Sequence, residues 1–311
     1  MRLMRSALLW MAGNERMQQT IPKLPFAKRA VRRFMPGERL DDALAAADRL
    51  RDERIGVLLT RLGENISSLH EAGEVAAHYR EVLKQDATSE HPQGPVEISI
   101  KPTQLGLDQD PEACFAHCDD IARRCAEAGT WFWLDMEGAA YTDGTVDLAE
   151  RLMKQHDNVG VALQAYLKRT AADVQRLLPY RPAIRLVKGA YDEPASIAYR
   201  SGTEVDANYV ALSVIIAGPA GRGEARLCLG THDIDLIEQI STVTSPSGVP
   251  NSALEVHMLY GIREQELRRL RDAGYPTASL ISYGSAWYRW YVRRLAERPA
   301  NVIFALRQLI P

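Results

Sequence analysis

Cysteine is scarce in this chain, and its spacing suits no scaffold. The four cysteines contain no C-x-x-C pair, which argues against a zinc site or a disulfide framework. Cys114, Cys118 and Cys125 share one apparent helix and Cys228 sits in a strand-like run. All four read as buried free thiols of a reducing cytoplasm. No apolar run approaches the roughly 20 residues needed to span a bilayer. A secretory leader is poorly supported, because the opening M-R-L-M-R-S-A-L-L-W-M-A-G has a short apolar core and no small-x-small cleavage site. It reads better as a short amphipathic helix that either docks on the domain or touches the inner face of a membrane peripherally. An excess of one charge is missing too. Lys and Arg number 38 against 40 Asp and Glu, a formal net charge of −2, which gives no pull toward nucleic acid. No G-x-G-x-x-G follows an early strand and no G-x-S-x-G is present, which counts against a Rossmann domain and a hydrolase elbow.

What is present supports a sizeable core. The 311 residues, 46% hydrophobic and 25% charged, suit one large α/β domain or two smaller ones. Residues 1–54 read as a helical arm with breaks at Pro22, Pro25 and Pro36-Gly37. Its best-patterned helix covers 40–54 and carries Asp41 and Asp42 in the first turn, where the helix dipole favours them. From residue 55 onward, short apolar or β-branched runs alternate with amphipathic stretches. Strands are predicted at 55–61, 96–101, 131–136, 159–166, 183–188, 225–231, 253–258 and 278–282. Helices are predicted near 67–85, 110–129, 145–157, 170–179, 204–217, 233–242, 263–274 and 286–298. Gly129, Pro179, Gly218-Pro219 and Gly274 mark joins, and 245–250 reads as a surface loop. Such alternation argues for parallel β/α units, and the simplest closed form is a (βα)8 TIM-like barrel over residues 55–311. An open doubly wound sheet is the alternative.

The strand ends carry the chemistry. In a (βα)8 barrel, catalytic groups come from the C-terminal ends of the strands. Here the successive ends offer Lys101; Asp135 and Glu137; Gln164 and Tyr166; Arg185, Lys188, Gly189 and Tyr191; Thr231, His232 and Asp233; and Glu255 with His257. Any one of these reads equally well as a loop contact, and Asp233 as a helix cap. Polar groups on six consecutive strand ends need each other or a ligand, because buried charges need partners. The acids and histidines could ligate a metal, but Lys101, Arg185 and Lys188 would crowd it with positive charge. Two cations and a glycine on strand five suit a large anionic cofactor, with the cations facing phosphate or a flavin ring and Gly189 admitting it to the backbone. Arg185 and Lys188 can reach one cavity only if that strand ends or bulges near Val187.

The last predicted helix, W-Y-R-W-Y-V-R-R-L-A-E-R over 287–298, is unusual. Trp290, Arg293, Arg294 and Glu297 share one face, and Tyr288, Tyr291, Val292 and Leu295 the other. Two adjacent arginines suit a bidentate grip on a carboxylate. A solvated basic face with Glu297 paired to Arg293 is the plainer reading.

The ordered blocks I-S-I-K-P-T-Q-L-G-L, L-D-M-E-G-A-A-Y-T-D, A-L-Q-A-Y, R-L-V-K-G-A-Y, T-H-D, M-L-Y-G and R-R-L-A-E, over roughly residues 55–298, resemble the proline dehydrogenase family, in its monofunctional bacterial type. The resemblance implies an FAD enzyme on a distorted (βα)8 barrel whose last helix lies over the mouth. It implies oxidation of L-proline to 1-pyrroline-5-carboxylate, with electrons passed to a quinone. Lys101, Asp135 and Arg185 would be catalytic. Lys101, Asp135, Tyr191, Leu259, Leu280 and Trp290 would surround the substrate, and Arg293 and Arg294 would hold its carboxylate. Gln164, Arg185, Lys188, Gly189, Ala190, Thr231 and His232 would hold FAD, with Glu297 as a tether.

The sequence departs from the family where substrate is read. Leu280 and Ser282 stand in place of the tyrosine and proline of a Y-x-P-x-G run, Trp290 in place of tyrosine, and His257 where glutamine is expected. Pro102 after Lys101 is a smaller departure. These changes point to an alternative substrate such as hydroxyproline or a larger cyclic amino acid. Two further alternatives are a (βα)8 lyase using Lys101 as a Schiff base and a barrel that keeps the fold without turnover.

Overall fold

Parallel pairing is continuous around the sheet, from β1 through β8 and back to β1. The computed structural model describes residues 14, 17, 20, 31–63, 66–87, 91, 93–288, 291 and 292. A first helix, α1 (Leu40–Asp52), leads into β1 (Gly56–Arg61), α2 (Leu69–Asp86), β2 (Glu97–Ile100), α3 (Pro111–Glu127), β3 (Phe132–Leu134), α4 (Thr142–Met153) and β4 (Val159–Gln164). The order continues with α5 (Thr170–Leu177), β5 (Ala183–Val187), α6 (Gly202–Gly221), β6 (Arg226–Gly230), α7 (Ile234–Thr244), β7 (Leu254–Leu259), α8 (Glu264–Asp272) and β8 (Thr277–Tyr283). The eight strands form a closed barrel in sequence order. The seam joins Gly56 to Ala278 at one end and Arg61 to Tyr283 at the other. This is the predicted barrel, and each strand falls within two residues of its predicted limits.

Local sequence explains the helix ends. Asp110 caps α3 by accepting from the Glu112 and Ala113 N–H groups at 3.0 and 3.1 Å, with Pro111 in the first turn. The same helix ends where Thr130 N–H reaches Cys125 O at 2.8 Å and Gly129 N–H reaches Ala126 O at 3.0 Å, the paired bonds of a glycine stop. Gly274 ends α8 in the same manner. One join differs from expectation: Gly218-Pro219 lies inside the last turn of α6, which runs on to Gly221. A proline there forfeits a single backbone bond near a terminus, so the helix survives it. The 245–250 loop contains one short turn of 3-10 helix, Ser245–Ser247.

Alternation divides the strands into two faces. Val57, Leu59, Ile98, Ile100, Phe132 and Leu134 point outward into the main core beneath the helices. Leu58, Trp133, Ala183, Cys228 and Ala278 point inward and form a separate cluster on the barrel axis. Trp133 fills that axis, and a Cβ on Gly160 would stand 2.4 Å from its ring, so glycine there admits the indole. All four cysteines are free and buried. Among the described residues no helix is long and apolar enough to cross a membrane.

Helix α1 packs against β1 and β8, covering the seam. Residues 287, 288, 291 and 292 are helical, and Trp287, Tyr288, Tyr291 and Val292 are buried. Phe34 meets Tyr291 with ring centroids 6.0 Å apart, and Trp287 Nε1–H donates to Glu38 at 3.1 Å. The apolar face of the last helix is therefore covered by the N-terminal region. The opposite face, Trp290, Arg293, Arg294 and Glu297, lies outside the described residues, as does most of the stretch before residue 31.

Candidate active site

Strand register sets the inward side chains in rows. Ala162, Arg185, Cys228 and Glu255 are successive partners across β4 to β7, and Gln164, Val187, Gly230 and His257 form the next row toward the C-terminal mouth. Across the barrel, Ser99 and Asp135 come from the ends of β2 and β3. Arg185 Nη2 donates to Ser99 Oγ at 3.1 Å and to Asp135, and Ser99 Oγ–H donates to Asp135 at 2.9 Å. The Arg185 guanidinium lies 5.1 Å over Trp133, a favourable cation–π contact. Arg185 is buried, so this ion pair is largely withdrawn from water. Among the described residues its Nη1 has no partner, nor does Gln164 Oε1, and both atoms are buried.

β5 ends at Val187, and Gly189 follows with φ +114°. Three residues apart at the end of the strand, Arg185 and Lys188 point to opposite sides of it. Arg185 turns into the barrel, while Lys188 Nζ meets Asp206 at 2.6 Å and Asp233 at 2.7 Å. Burial works against the charge on Lys188, but these two carboxylates hold its pKa above the ordinary lysine value. The Tyr166 ring lies close against Gly189. A Cβ there would stand 2.2 Å from the Tyr166 ring, so the space that glycine clears is filled by that aromatic. Ala190 is exposed and Tyr191 half-buried on the loop that follows.

Other strand ends meet one another. Lys101 Nζ donates to Gly63 O at 3.5 Å. Glu137 is buried and accepts from Thr103 N–H at 3.1 Å and Thr103 Oγ1 at 2.7 Å, which ties β3 to the turn after β2. Gln164 Nε2–H donates to Glu137 O at 3.3 Å. Thr231 Oγ1 accepts from Asp233 N–H at 3.1 Å, and Asp233 caps α7 through Leu236 N–H. His232 Nε2 accepts from Leu259 N–H at 3.0 Å, so the ring proton sits on Nδ1. Leu259 and Leu280 are register partners, both half-buried, and make an apolar wall. Ser282 is buried two residues further along β8.

Glu255 requires a correction. It is the second residue of β7 and faces the N-terminal half of the barrel, not the mouth. Arg226 grips it bidentately at 2.7 and 2.7 Å and also reaches Glu97 at 2.7 Å. Trp133 Nε1–H donates to Glu97 at 2.5 Å. Burial opposes ionisation of Glu255, but the Arg226 guanidinium holds its carboxyl well below the usual range. Burial likewise drives the Cys228 thiol up. Cys228, Glu255 and His257 offer donor atoms within 4.8 Å of one another, but both Glu255 oxygens are committed to Arg226, which makes a poor metal cradle. Arg226, Glu97, Ser99 and Trp133 were missed by attention to strand tips alone. The period-two series Glu97-Ser99-Lys101 and Trp131-Trp133-Asp135 was the available signal.

A cleft of about 800 Å³ lies on the flank, lined by Leu107, Tyr141, Glu150, Arg151, Lys154 and Arg176. Glu150 is already bonded to Lys154 and Arg176, and none of the strand-end groups reaches it. The barrel interior, with its unsatisfied buried donors and acceptors, is the better site.

A closed parallel barrel with convergent ionic groups on its inner C-terminal face defines a (βα)8 enzyme-like protein. Comparison with known proteins sharpens this. The family model described as "Proline dehydrogenase" matches residues 43–307. "Proline dehydrogenase" of Deinococcus radiodurans is 31% identical over 314 residues, covering 99% of this chain and 98% of the relative. "Proline dehydrogenase 1" of Bacillus subtilis subsp. natto is 29% identical over 308 residues, covering 99% of each. A crystal structure of proline utilization A from Bdellovibrio bacteriovorus, inactivated by N-propargylglycine, superposes with TM-score 0.79 at 22% identity, over 93% of this chain and 38% of that one. The chain belongs to the proline dehydrogenase family.

Proposed function

We propose that the protein oxidises L-proline to 1-pyrroline-5-carboxylate with bound FAD and a quinone as electron acceptor. The observation that carries the reading is the buried Arg185–Asp135–Ser99 group with Arg185 Nη1 and Gln164 Oε1 left unsatisfied beside it, in a chain of this family. Buried polar atoms without partners mark places where a ligand completes the hydrogen bonding. The edge of a flavin ring carries both acceptors and a donor, so it fits a guanidinium N–H and an amide oxygen. Gln164, Arg185, Thr231 and His232 would hold the ring and its chain, with Lys188, Gly189 and Ala190 beside them. The chemistry that FAD supplies when bound is acceptance of a hydride from the proline carbon next to nitrogen.

The protein's own part is to orient and desolvate a small zwitterion. Asp135 and Lys101 would flank the amine and carboxylate, Arg293 and Arg294 would clamp the carboxylate, and Glu297 would tether their helix. Tyr191, Leu259, Leu280 and Trp290 would enclose the ring. The half-buried Leu259–Leu280 pair favours a second reading on the same site. An apolar wall without the family's tyrosine hydroxyl accepts a larger ring, or one with a substituent, as well as proline. Peripheral contact of the N-terminal stretch with a membrane would bring the site near a quinone.

An anaerobic titration of the purified yellow protein tests both readings. Proline, 4-hydroxyproline and pipecolate are added in turn while the flavin band is watched. Bleaching by proline with the highest kcat/KM supports the first reading, and preference for either analogue supports the second. A colourless protein that traps a carbonyl substrate on Lys101 with borohydride would replace both.

A further inference from the structure

The polar cluster in the lower half of the barrel has no part in the reading above, and its charges do not balance. In this cluster a single guanidinium, Arg226 from β6, serves two carboxylates, Glu97 from β2 and Glu255 from β7. Those three groups carry one net negative charge in a largely buried place, which is costly unless compensated. Among the described residues, the other basic group bonded to either carboxylate is His257, whose Nε2 lies 2.8 Å from Glu255 Oε1. The ring is buried, packs edge-on against Trp133 at 5.6 Å, and leaves Nδ1 without a partner. Its remaining polar surroundings are the Cys228 thiol on β6 and, beyond Trp133, the Arg185 of β5, which Asp135 of β3 already compensates. His257 shares its row with Gln164, so it stands between the unbalanced cluster and the proposed cofactor site.

We propose that His257 is a positioning residue that gains a proton at Nδ1 when the cofactor is reduced. This inference rests on the FAD reading. In the oxidised enzyme the neutral imidazole donates Nε2–H to Glu255, and Nδ1 holds a lone pair. FAD held beside Gln164 would accept two electrons from the substrate, and the added negative charge would favour the imidazolium. The Nδ1–H bond forms as one O–H bond of a solvent hydronium ion breaks, leaving water. The Glu97–Arg226–Glu255 cluster, bonded to the other ring nitrogen through Glu255, supplies standing negative charge beside the ring. Glutamine at this position would keep the hydrogen bond to Glu255 but could not take the proton.

Spectroelectrochemical titration of the holoenzyme between pH 6 and 8.5 tests this. One extra proton per two electrons is a tenfold change in equilibrium constant per pH unit, or 29.6 mV. The wild-type potential is expected to fall with pH more steeply than that of His257→Gln, by up to that amount per unit within part of the range. Glu255→Gln, which removes the excess negative charge, is expected to move the steep region to lower pH. Coincident slopes for wild type and His257→Gln overturn the proposal, including the case where the variant only binds FAD more weakly. Should His257→Gln fail to hold the cofactor, an unmoved steep region in Glu255→Gln overturns it instead. A wild-type protein that carries no flavin overturns the FAD reading itself, and a yellow protein with an unaltered slope overturns this inference alone.

Discussion

Removing Asp135 should cost far more than removing Asp135 and Arg185 together. Arg185 is buried, and among the described residues its charge meets Asp135, Ser99 Oγ at 3.1 Å and the Trp133 face at 5.1 Å. In Asp135→Ala the guanidinium stays buried with only a hydroxyl and an indole. Breaking a buried pair from one side typically costs about 3–5 kcal/mol. The Asp135 side chain is 19% exposed against 5% for Arg185, so water reaches the vacated site and the low end, about 3 kcal/mol, applies. Arg185→Met leaves a partly hydrated carboxylate that Ser99 still serves, and should cost about 1–2 kcal/mol. In the double variant no charge is stranded and methionine can pack on Trp133, so its cost should stay near 1–2 kcal/mol. The expected coupling is therefore about 3 kcal/mol. Urea unfolding of the four cofactor-free proteins, followed by far-UV circular dichroism, measures it. Additive losses, or an Asp135→Ala protein within about 0.5 kcal/mol of wild type, would refute the view that this pair is a mutually dependent buried unit.

Two further outcomes are expected from ordinary measurements. His78, half-buried, takes the Tyr283 hydroxyl at 2.7 Å on Nε2, and burial followed by the nearby Arg61 lowers its pKa to about 4. The unfolded chain then binds more protons than the native one between pH 4 and about 6.5, so stability is full above pH 6.5 and falls as pH drops toward 4. After discounting for partial exposure the loss should be about 1–2 kcal/mol, and His78→Gln should remove that slope from a series of urea midpoints. For the carboxylate clamp, Arg294→Met should raise KM for the preferred amino acid about 10- to 100-fold with the flavin band retained, the loss of about 1.5–3 kcal/mol for a charge-assisted contact. An unchanged KM would return that helix face to solvent.

Strand positions were legible because each is a short apolar run bounded by glycine, proline or a capping acid, and these signals are local. Asp135 and Arg185 were legible as strand-end charges, but not as partners, since β3 and β5 meet only when the barrel closes. Glu255 was misassigned for a related reason. A polar residue near a six-residue strand's end looks alike whichever mouth it faces, and only the register with Cys228 and Arg226 decides. Gly189 shows the limit most plainly. It was read as admitting a cofactor, and the ring that a Cβ there would meet, Tyr166, lies on another strand's end that no local signal links to it. The apolar partner of the chain's last helix, Phe34 against Tyr291, lies some 250 residues away in sequence and was not legible from the helix itself.

That distant contact bears on whether residues 1–54 are an arm that the barrel could do without. Helix α1 buries Ala43, Ala46, Ala47 and Leu50 against the seam strands β1 and β8. In an alternating barrel that groove is otherwise filled by the helix after β8. Here that helix puts Trp287, Tyr288, Tyr291 and Val292 elsewhere, with Phe34 and Glu38 against it. The two ends of the chain have thus exchanged duties: the first helix closes the wall, and the last is released from it. A chain beginning at Ile55 would expose one side of the seam and strip the cover from the last helix. Burial of Leu50, Phe34 and Met35 alone is worth about 1.5–3 kcal/mol each, which is comparable to the whole stability of a typical domain, about 5–15 kcal/mol. Such a chain is expected to lose cooperative unfolding in urea and to aggregate. One beginning at Ala30 is expected to unfold cooperatively. A cooperative transition of wild-type midpoint from residues 55–311 would show that the exchange of helices is not needed to close the barrel.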